Sequence, residues 1–298
     1  MPNHPEFHLY LPQMRMGFDG IVERAQAAEA AGFDGMALMD HLAPPLAAEH
    51  PMYEAMITAT WLAAHTSTLK IGHLVLCDAV RQPAVLAKEA VSLDHASGGR
   101  FELGIGWGSV PDELKAYGVT TAGPTARRRR LAETLAVLKA LWTGEVVDFD
   151  GEFHHIRSGQ QRPTPLTSIP LIIGGMAEAT LELVASYADW WNVPIYAANR
   201  IDELKPRTGR ARTSLQQLVA LVPSEADRAT VTETARRRYG GWRAELPIGT
   251  ADELAGFFSA RYDRGVERFY VWFTDFAAPD TLARFGEVIE RVASRAAA

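Results

Sequence analysis

Two adjacent polar residues, Asp40 and His41, follow the apolar run GMALM and are the first candidates for chemistry. Histidine exchanges protons near neutral pH, and a neighbouring carboxylate can fix its tautomer. The dipeptide fits an ordinary polar loop equally well. A metal site would need further ligands, and His65, His73 and His95 do not stand at helical metal-binding spacing from this pair.

A second candidate is the segment FELGIGWGS, in which Gly104, Gly106 and Gly108 recur at every second position around Trp107. Glycine has no Cβ, so this backbone could approach a ligand closely. The segment resembles a GxGxxG phosphate loop only superficially, because the last glycine and the surrounding dinucleotide-binding unit are missing. Trp107 is suited either to stacking on a ring or to closing a barrel.

A third candidate is Gly174-Gly175, which joins the apolar run PLII to a helical segment. A strand that runs through two glycines into a helix presents free backbone N–H groups and the positive end of the helix, which together favour a phosphate. A tight turn that needs glycine for steric reasons is the alternative. We favour the phosphate interpretation.

Three other features have plainer explanations. In GHLVLCD, a β-branched residue leaving a strand could support a flat ring, but ordinary barrel core is favoured, and Cys77 is expected to be a small buried hydrophobe. The Arg127–Arg130 run is expected to be a solvated helix face, with one or two arginines turned towards a phosphate as the alternative.

These residues require a scaffold, and short apolar runs alternate with helical segments along the chain. This alternation predicts βα repetition and a parallel sheet. The helical segments include Gly20–Ala31, Pro83–His95 and Thr125–Trp142. The expected strands are Phe7–Leu11, Gly35–Met39, Leu69–Leu76, Phe101–Leu103, Leu171–Ile173, Trp190–Val193, Gln217–Val222 and Phe269–Phe273.

Eight such units predict an α/β fold, a single (β/α)8 TIM barrel over residues 1–298, with insertions. The segment Val146–Ile156 alternates β-branched and aromatic residues around an Asp-Gly turn and predicts an inserted β-hairpin. Asn199–Thr213, rich in Arg and Lys, is expected to be a mobile excursion. In a barrel of this kind the chemistry lies where strands end, so all the candidate loops should meet at one mouth.

The bulk composition excludes some partners. The chain has 298 residues and a formal net charge of −6, so it has no overall attraction to nucleic acid or anionic membranes. The N-terminal segment has neither a basic leader nor a long apolar run, and no later segment approaches the ~18 apolar residues of a membrane span. A single cysteine cannot form an internal disulfide. We expect a cytoplasmic protein.

Three segments together resemble the luciferase-like flavin monooxygenase superfamily: AEAAGFDGMALMDHL, LKIGHLVLCDAVRQPAVLAKEAVSLDHASGGRFELGIGWGSVPDELKAYGV and PLIIGGMAEATLELVASYADWWNVP. The resemblance covers most of residues 7–195 and returns in GTADELAGFFSARYDRGVERFYVWF, whereas residues 196–245 match poorly and should influence substrate choice. It implies a barrel that binds coenzyme F420, our first choice, or FMN at the carboxyl ends of the strands. The chain is most similar to the F420-dependent oxidoreductase branch.

The resemblance also assigns roles. It places Asp40 and His41 beside the redox ring as catalytic residues, and implies a non-proline cis peptide at the Leu74–Val75 bulge. The expected cofactor contacts are Leu74, Val75, Trp107, Gly108, Ser109, Gly174, Gly175 and Met176, the last three of them at the phosphate. It further implies a small-molecule substrate, a homodimer and, for some members, a flavin reductase as electron source.

Two departures from the sugar-phosphate dehydrogenase branch argue against glucose 6-phosphate as substrate. That branch carries a tryptophan shortly after Asp-His and a glutamate at the position of Ser109, where this chain has Pro44-Pro45 and the serine. The leading hypothesis is hydride or oxygen chemistry on a small organic substrate. The alternatives are a metal-dependent TIM-barrel hydrolase and a non-catalytic flavin-binding homologue.

Overall fold

The apolar runs form parallel strands that close into a barrel in the computed structural model, which describes residues 4–45, 47, 49–242 and 244–296. The strands are β1 (Glu6–Leu11), β2 (Gly35–Leu38), β3 (Lys70–His73), β4 (Leu76–Cys77), β5 (Phe101–Gly106), β6 (Val146–Asp150), β7 (His155–Gln160), β8 (Leu171–Gly174), β9 (Trp190–Val193), β10 (Arg212–Leu221), β11 (Ile248–Gly249) and β12 (Arg268–Phe273). The helices are α1 (Phe18–Ala30), α2 (Ala55–His65), α3 (Pro83–Ser97), α4 (Pro111–Ala116), α5 (Pro124–Trp142), α6 (Glu178–Tyr187), α7 (Ile201–Leu204), α8 (Arg228–Tyr239), α9 (Ala251–Tyr262) and α10 (Pro279–Ala296).

The barrel has eight strand positions in the order β1-β2-β3-β5-β8-β9-β10-β12, and β12 pairs in parallel with β1 to close the ring. β4 continues the third position and pairs with β5, and the short β11 pairs with β10. The predicted hairpin is present as β6 and β7, an antiparallel pair outside the barrel. The predicted (β/α)8 fold is confirmed.

Local sequence explains where the helix α3 begins and ends. Pro83 occupies its first turn, where proline costs no hydrogen bond, and the Gln82 side chain accepts a hydrogen bond from the Val85 N–H. Gly98 has a φ of 68°, in the left-handed region that favours glycine, and ends the helix. Such short connections bring each helix back over the barrel.

The predicted start of the seventh strand was wrong, and the segment before it contains regular structure. The seventh strand begins at Arg212, five residues before the predicted Gln217, and the preceding segment forms helical turns in which Ile201 and Leu204 are buried. The strand begins with polar residues, so a search for runs of apolar residues placed its start too late. The Arg212 guanidinium lies 4.0 Å from the centroid of the Trp190 ring and donates to Glu267. The arginine therefore covers apolar surface, as an apolar residue in a strand would.

Buried charges fill the amino-terminal end of the barrel. The Arg268 guanidinium donates to both carboxylate oxygens of Glu102, at 2.6 and 2.9 Å, and also to Glu6, and it lies 3.8 Å from the centroid of Trp190. Although burial alone would raise it, Arg268 holds the pKa of Glu102 below its ordinary value. These groups satisfy one another, and this end of the barrel is closed by side chains.

Candidate active site at the carboxyl ends of the strands

Loops that follow five barrel strands meet at the other end and enclose a cavity. Nine of the ten residues expected at a site line it, and they come from the loops after β2, β3, β5 and β8. They are Asp40, His41, Leu74, Val75, Trp107, Gly108, Ser109, Gly174 and Gly175. Met176, the tenth, packs half-buried against the hydrophobic core beside the cavity. The expected single mouth is therefore present.

The wall of the cavity includes a break in the third strand. Leu74 and Val75 separate β3 from β4, and the peptide bond between them is cis, as the resemblance implied. Both residues line the cavity. The predicted continuous strand Leu69–Leu76 is thus two short strands joined by a bulge.

The glycines of β5 make room for this bulge. A Cβ at Gly104 would lie 1.8 Å from the backbone oxygen of His73, and one at Gly106 would lie 2.9 Å from a methyl group of Val75. We expected these glycines to let a ligand approach the backbone closely. At these two positions it is the neighbouring strand that approaches instead. Gly106 also lines the cavity. The alternation of glycines follows the strand period of two.

His41 is held by a residue that the sequence analysis missed, Glu113 of α4. The Nδ1 atom of His41 lies 2.8 Å from Oε2 of Glu113, and Oε1 of the same carboxylate accepts backbone N–H groups of Leu42 and Ala43. Both side chains are mostly buried. An ionised carboxylate can only accept a hydrogen bond, so the Nδ1 atom of His41 must carry a proton. The Nε2 atom is then the ring nitrogen available for proton exchange.

Asp40 has other partners. Its Oδ2 accepts the backbone N–H of Cys77 at 2.8 Å, and its Oδ1 accepts from the Arg81 guanidinium at 2.7 Å. Arg81 also binds Glu54 at 2.7 Å. Asp40 therefore ties the loop after β2 to the chain after the bulge. Its carboxylate is engaged on both oxygens, in contrast to the expected pairing with His41.

The two-glycine turn lies between β8 and α6. Gly175 has a φ of 134°, which favours glycine, and its carbonyl accepts from the Trp191 indole at 2.8 Å. A Cβ at Gly174 would only reach ordinary contact with Asn192, at 3.7 Å, so the turn presents bare backbone to the cavity. The exposed Glu178 at the start of α6 is paired with Arg207.

The arginine run supports the site from outside. Arg127 is buried, lies 5.2 Å from the Trp107 ring centroid and donates to Ala122 O at 2.8 Å. Arg130 binds Asp78 and the Arg81 carbonyl. Two of the four arginines therefore brace the loops after β4 and β5, so a wholly solvated face was the wrong expectation for them.

Cys77 lines the cavity but has little thiolate character. Burial raises the pKa of the Cys77 thiol to about 11, with a smaller contribution from Asp40. At that pKa the thiol is almost entirely protonated at neutral pH. The expectation of an unreactive cysteine is consistent with this.

Other residues in the cavity were not among the candidates. They include Asn192, Pro194, Tyr196 and Gln216 from the loops and strands after α6, together with Glu113. The sequence could have indicated Asn192, since it is the polar residue in the apolar strand WWNV. Nothing in the sequence indicated Glu113, because its role depends on a loop 72 residues away. Within the described residues, no cluster of three or more His, Cys, Asp or Glu could hold a metal ion.

Comparison with known proteins shows the family to which this chain belongs. Residues 2–242 match the sequence profile described as luciferase-like monooxygenase. An uncharacterized protein of Mycobacterium tuberculosis is 32% identical over 212 residues, covering 65% of this chain and 72% of that protein. An F420-dependent glucose-6-phosphate dehydrogenase of Nakamurella multipartita is 28% identical over 267 residues, covering 82% of this chain and 78% of that protein.

Solved structures share the fold. An F420-dependent secondary alcohol dehydrogenase in complex with an F420-acetone adduct has a TM-score of 0.85 at 18% identity, covering 97% of this chain and 99% of that chain. The oxygenating constituent of 3,6-diketocamphane monooxygenase of Pseudomonas putida, in complex with FMN, has a TM-score of 0.78 at 16% identity, covering 98% of each chain. At these identities the likeness shows the fold alone.

Proposed function

Because this chain belongs to the luciferase-like monooxygenase family, a family of oxidoreductases, we propose that its cavity binds F420 or FMN and that it acts on a small organic substrate. The observation that carries the proposal is the convergence of His41, Val75, Trp107 and Gly174, from four separate loops, on one cavity. Either cofactor, when bound, supplies hydride transfer, and FMN can also activate oxygen. This family assignment favours the oxidoreductase over the metal-dependent hydrolase.

F420 is our first choice of cofactor. The glucose-6-phosphate dehydrogenase of Nakamurella multipartita is F420-dependent, and so is the secondary alcohol dehydrogenase that shares the fold. FMN remains the second choice, because a neighbour of the same fold binds it. We do not propose glucose 6-phosphate as substrate, since Pro44-Pro45 and Ser109 replace the tryptophan and glutamate of that branch.

The residues of the cavity fit such a cofactor. Leu74 and Val75 offer apolar support to a flat ring, and the amide side chains of Asn192 and Gln216 supply the donors and acceptors that a pyrimidine edge needs. The bare backbone of Gly174 and Gly175, followed by Met176 just before the start of α6, is suited to a phosphate. Ser109, Trp107 and Gly108 border the same space.

The chain itself contributes a positioned proton carrier. Glu113 holds the His41 ring with Nδ1 protonated, so Nε2 can accept a proton from, or return one to, a substrate oxygen. The contacts of Asp40 with Cys77 N–H and Arg81 support a positioning role, in which it fixes the loop that carries His41.

Titration of the purified chain with F420 and FMN, each oxidised and reduced, tests the proposal. We expect saturable binding of at least one cofactor, tighter for F420, followed by its reduction or oxidation with an organic substrate. Failure of all four forms to bind would contradict the proposal. Binding without turnover of any reductant or substrate would favour the non-catalytic alternative.

We further propose a homodimer in the cytoplasm, with a flavin reductase as electron source only if FMN is the cofactor. An apolar surface patch formed by Phe18, Ile57 and Trp61 supports dimerisation, and Ile57 and Trp61 are 65% and 49% exposed. Ile57→Asp should shift the mass measured by light scattering from dimer to monomer, whereas Leu166→Asp, an exposed position elsewhere, should not.

Among the described helices, none is long and apolar enough to cross a membrane.

A further inference from the structure

A second cavity of about 260 Å³ lies beside the first, at the same end of the barrel. Met39, which directly precedes the Asp40-His41 pair, lines both cavities. The remaining wall comes from the loop after β1, from Pro45 and Ala47 in the loop after β2, from the end of α8 and the residues that follow it, and from the end of β12 and the residues that follow it. The proposed cofactor contacts leave this space unused.

Three rings form one side of the second cavity. Trp242 and Trp272 meet edge to face, with ring centroids 5.1 Å apart, and Tyr239 contacts both of them at 5.5 and 5.7 Å. Interlocked rings of this kind hold their positions and offer a preformed apolar surface. A flat or aliphatic group of a ligand would bury its apolar area there.

Two cations stand at the rim of this cavity. The guanidinium groups of Arg15 and Arg238 each lie 5.7 Å from the centroid of Phe276. Arg238 donates to the Thr274 carbonyl at 2.7 Å. Neither arginine forms a salt bridge with a carboxylate in the part of the chain that the structure describes. Two unneutralised guanidinium groups beside an apolar wall favour an anion with an apolar body.

We propose that the second cavity binds the substrate and that the substrate is an apolar organic acid. Its apolar body packs on Trp242 and Trp272, and its carboxylate lies between Arg15 and Arg238. Met39 marks the boundary across which the other end of the substrate reaches His41. The identification as substrate, though not the binding itself, rests on the proposed function.

Calorimetric titration with 3-phenylpropionate tests this inference, with 3-phenylpropanamide as the uncharged match. We expect the acid to bind the full chain roughly 10-fold more tightly than the amide, because charge-assisted hydrogen bonds are stronger than neutral ones. The preference should shrink at high salt, since the arginines are exposed. Equal affinity for acid and amide would overturn the proposal.

Variants locate the binding. The double substitution Arg15→Ala and Arg238→Ala should lower affinity for the acid by about 10-fold and leave affinity for the amide unchanged. Arg237→Ala removes an exposed arginine one position away on α8 and should change neither. An effect of Arg237→Ala as large as that of the double variant would refute the assignment.

The same titrations, repeated with F420 and with FMN, separate this inference from the proposed function. If a cofactor binds and 3-phenylpropionate does not, the second cavity is not the substrate site and the proposed function stands. Acid binding that depends on Arg15 and Arg238 without binding of any cofactor would support the site and contradict the proposed function. With turnover in hand, Arg238→Ala should raise KM for the acid substrate and leave kcat nearly unchanged.

Discussion

The Nδ1 atom of His41 lies 2.8 Å from Oε2 of Glu113, so the loop after the second strand is joined to the helix after β5. The same carboxylate accepts two backbone N–H groups of the His41 loop, at Leu42 and Ala43. One glutamate thus sets both the position of the loop and the tautomer of the imidazole. For the proton carrier that we propose, this contact would keep the ring in one position between turnovers.

Removing the imidazole should reduce turnover without preventing cofactor binding. We expect His41→Ala to lower kcat by about 10²–10⁴-fold, the usual contribution of a general acid or base, while the Kd of the cofactor changes much less. Rapid-reaction kinetics with the substrate measures the effect. Unaltered reduction and oxidation rates would remove His41 from the mechanism.

Glu113→Gln tests the orientation of the ring. An amide has one acceptor oxygen, so it cannot accept both from the His41 ring and from the Leu42 and Ala43 N–H groups, and the charge that favours a protonated Nδ1 is also lost. We expect kcat to fall by about 10-fold. Asp112→Asn, an exposed neighbour on the same short helix, is the matched control and should retain wild-type kcat. If the two variants behave alike, Glu113 does not position the histidine.

Substitutions in the two-glycine turn should separate an effect on cofactor affinity from an effect on stability. In Gly175→Val, the φ of 134° is unfavourable for valine and the new Cβ would lie 3.1 Å from Thr180, so some stability is lost. We expect cofactor affinity to fall by more than 10-fold in addition. Gly118→Val carries a similar backbone cost at a φ of 66° with no atom nearby, and its cofactor affinity should be unchanged. Unchanged affinity in a folded Gly175→Val would count against a phosphate at this turn.

Gly104 should tolerate no side chain. Alanine there would place Cβ 1.8 Å from the His73 carbonyl oxygen, a backbone atom that cannot turn aside, so we expect Gly104→Ala to lower the free energy of unfolding by about 3 kcal/mol or more. Gly123→Ala meets no atom within 4 Å and should cost under about 1 kcal/mol. Urea denaturation compares the two, and similar midpoints would show that the bulge can move.

His73 should make stability depend on pH. Burial lowers the pKa of its imidazole from 6.5 to about 4, although Asp40 and the Ala55 carbonyl act in the opposite direction. Below pH 6.5 the unfolded chain therefore takes up a proton that the folded chain does not. This contribution is present above pH 6.5 and falls away by about 3 kcal/mol as pH decreases to 4.

Urea denaturation at pH 7 and pH 5 measures that dependence. His73→Gln has no titrating group, so its loss of stability between the two pH values should be about 2 kcal/mol smaller than that of the wild type. His65→Gln, at a partly exposed position, should behave as the wild type does. An unchanged pH dependence in His73→Gln would show that another group is responsible.

The sequence by itself determined the eight-strand barrel, the inserted hairpin and the location of the Asp40-His41 and Gly174-Gly175 turns at one mouth. These features follow from local properties, namely the period of apolar residues, the placement of Gly and Pro at helix ends, and the rule that parallel strands end at the same face. The Leu74–Val75 bulge was implied by resemblance. The start of β10 at Arg212 was missed, because its arginine packs as an apolar residue would.

Only the tertiary structure decided what the site residues touch. Glu113 reaches His41 across 72 residues of chain, Asp40 turns to Cys77 and Arg81, and the glycines of β5 make room for the neighbouring strand instead of a ligand. The second cavity likewise joins the loop after β1 to the end of α8. Spacing along a chain determines which face of an element a residue occupies, but contacts between distant elements depend on how the whole barrel closes, and no local pattern contains that information.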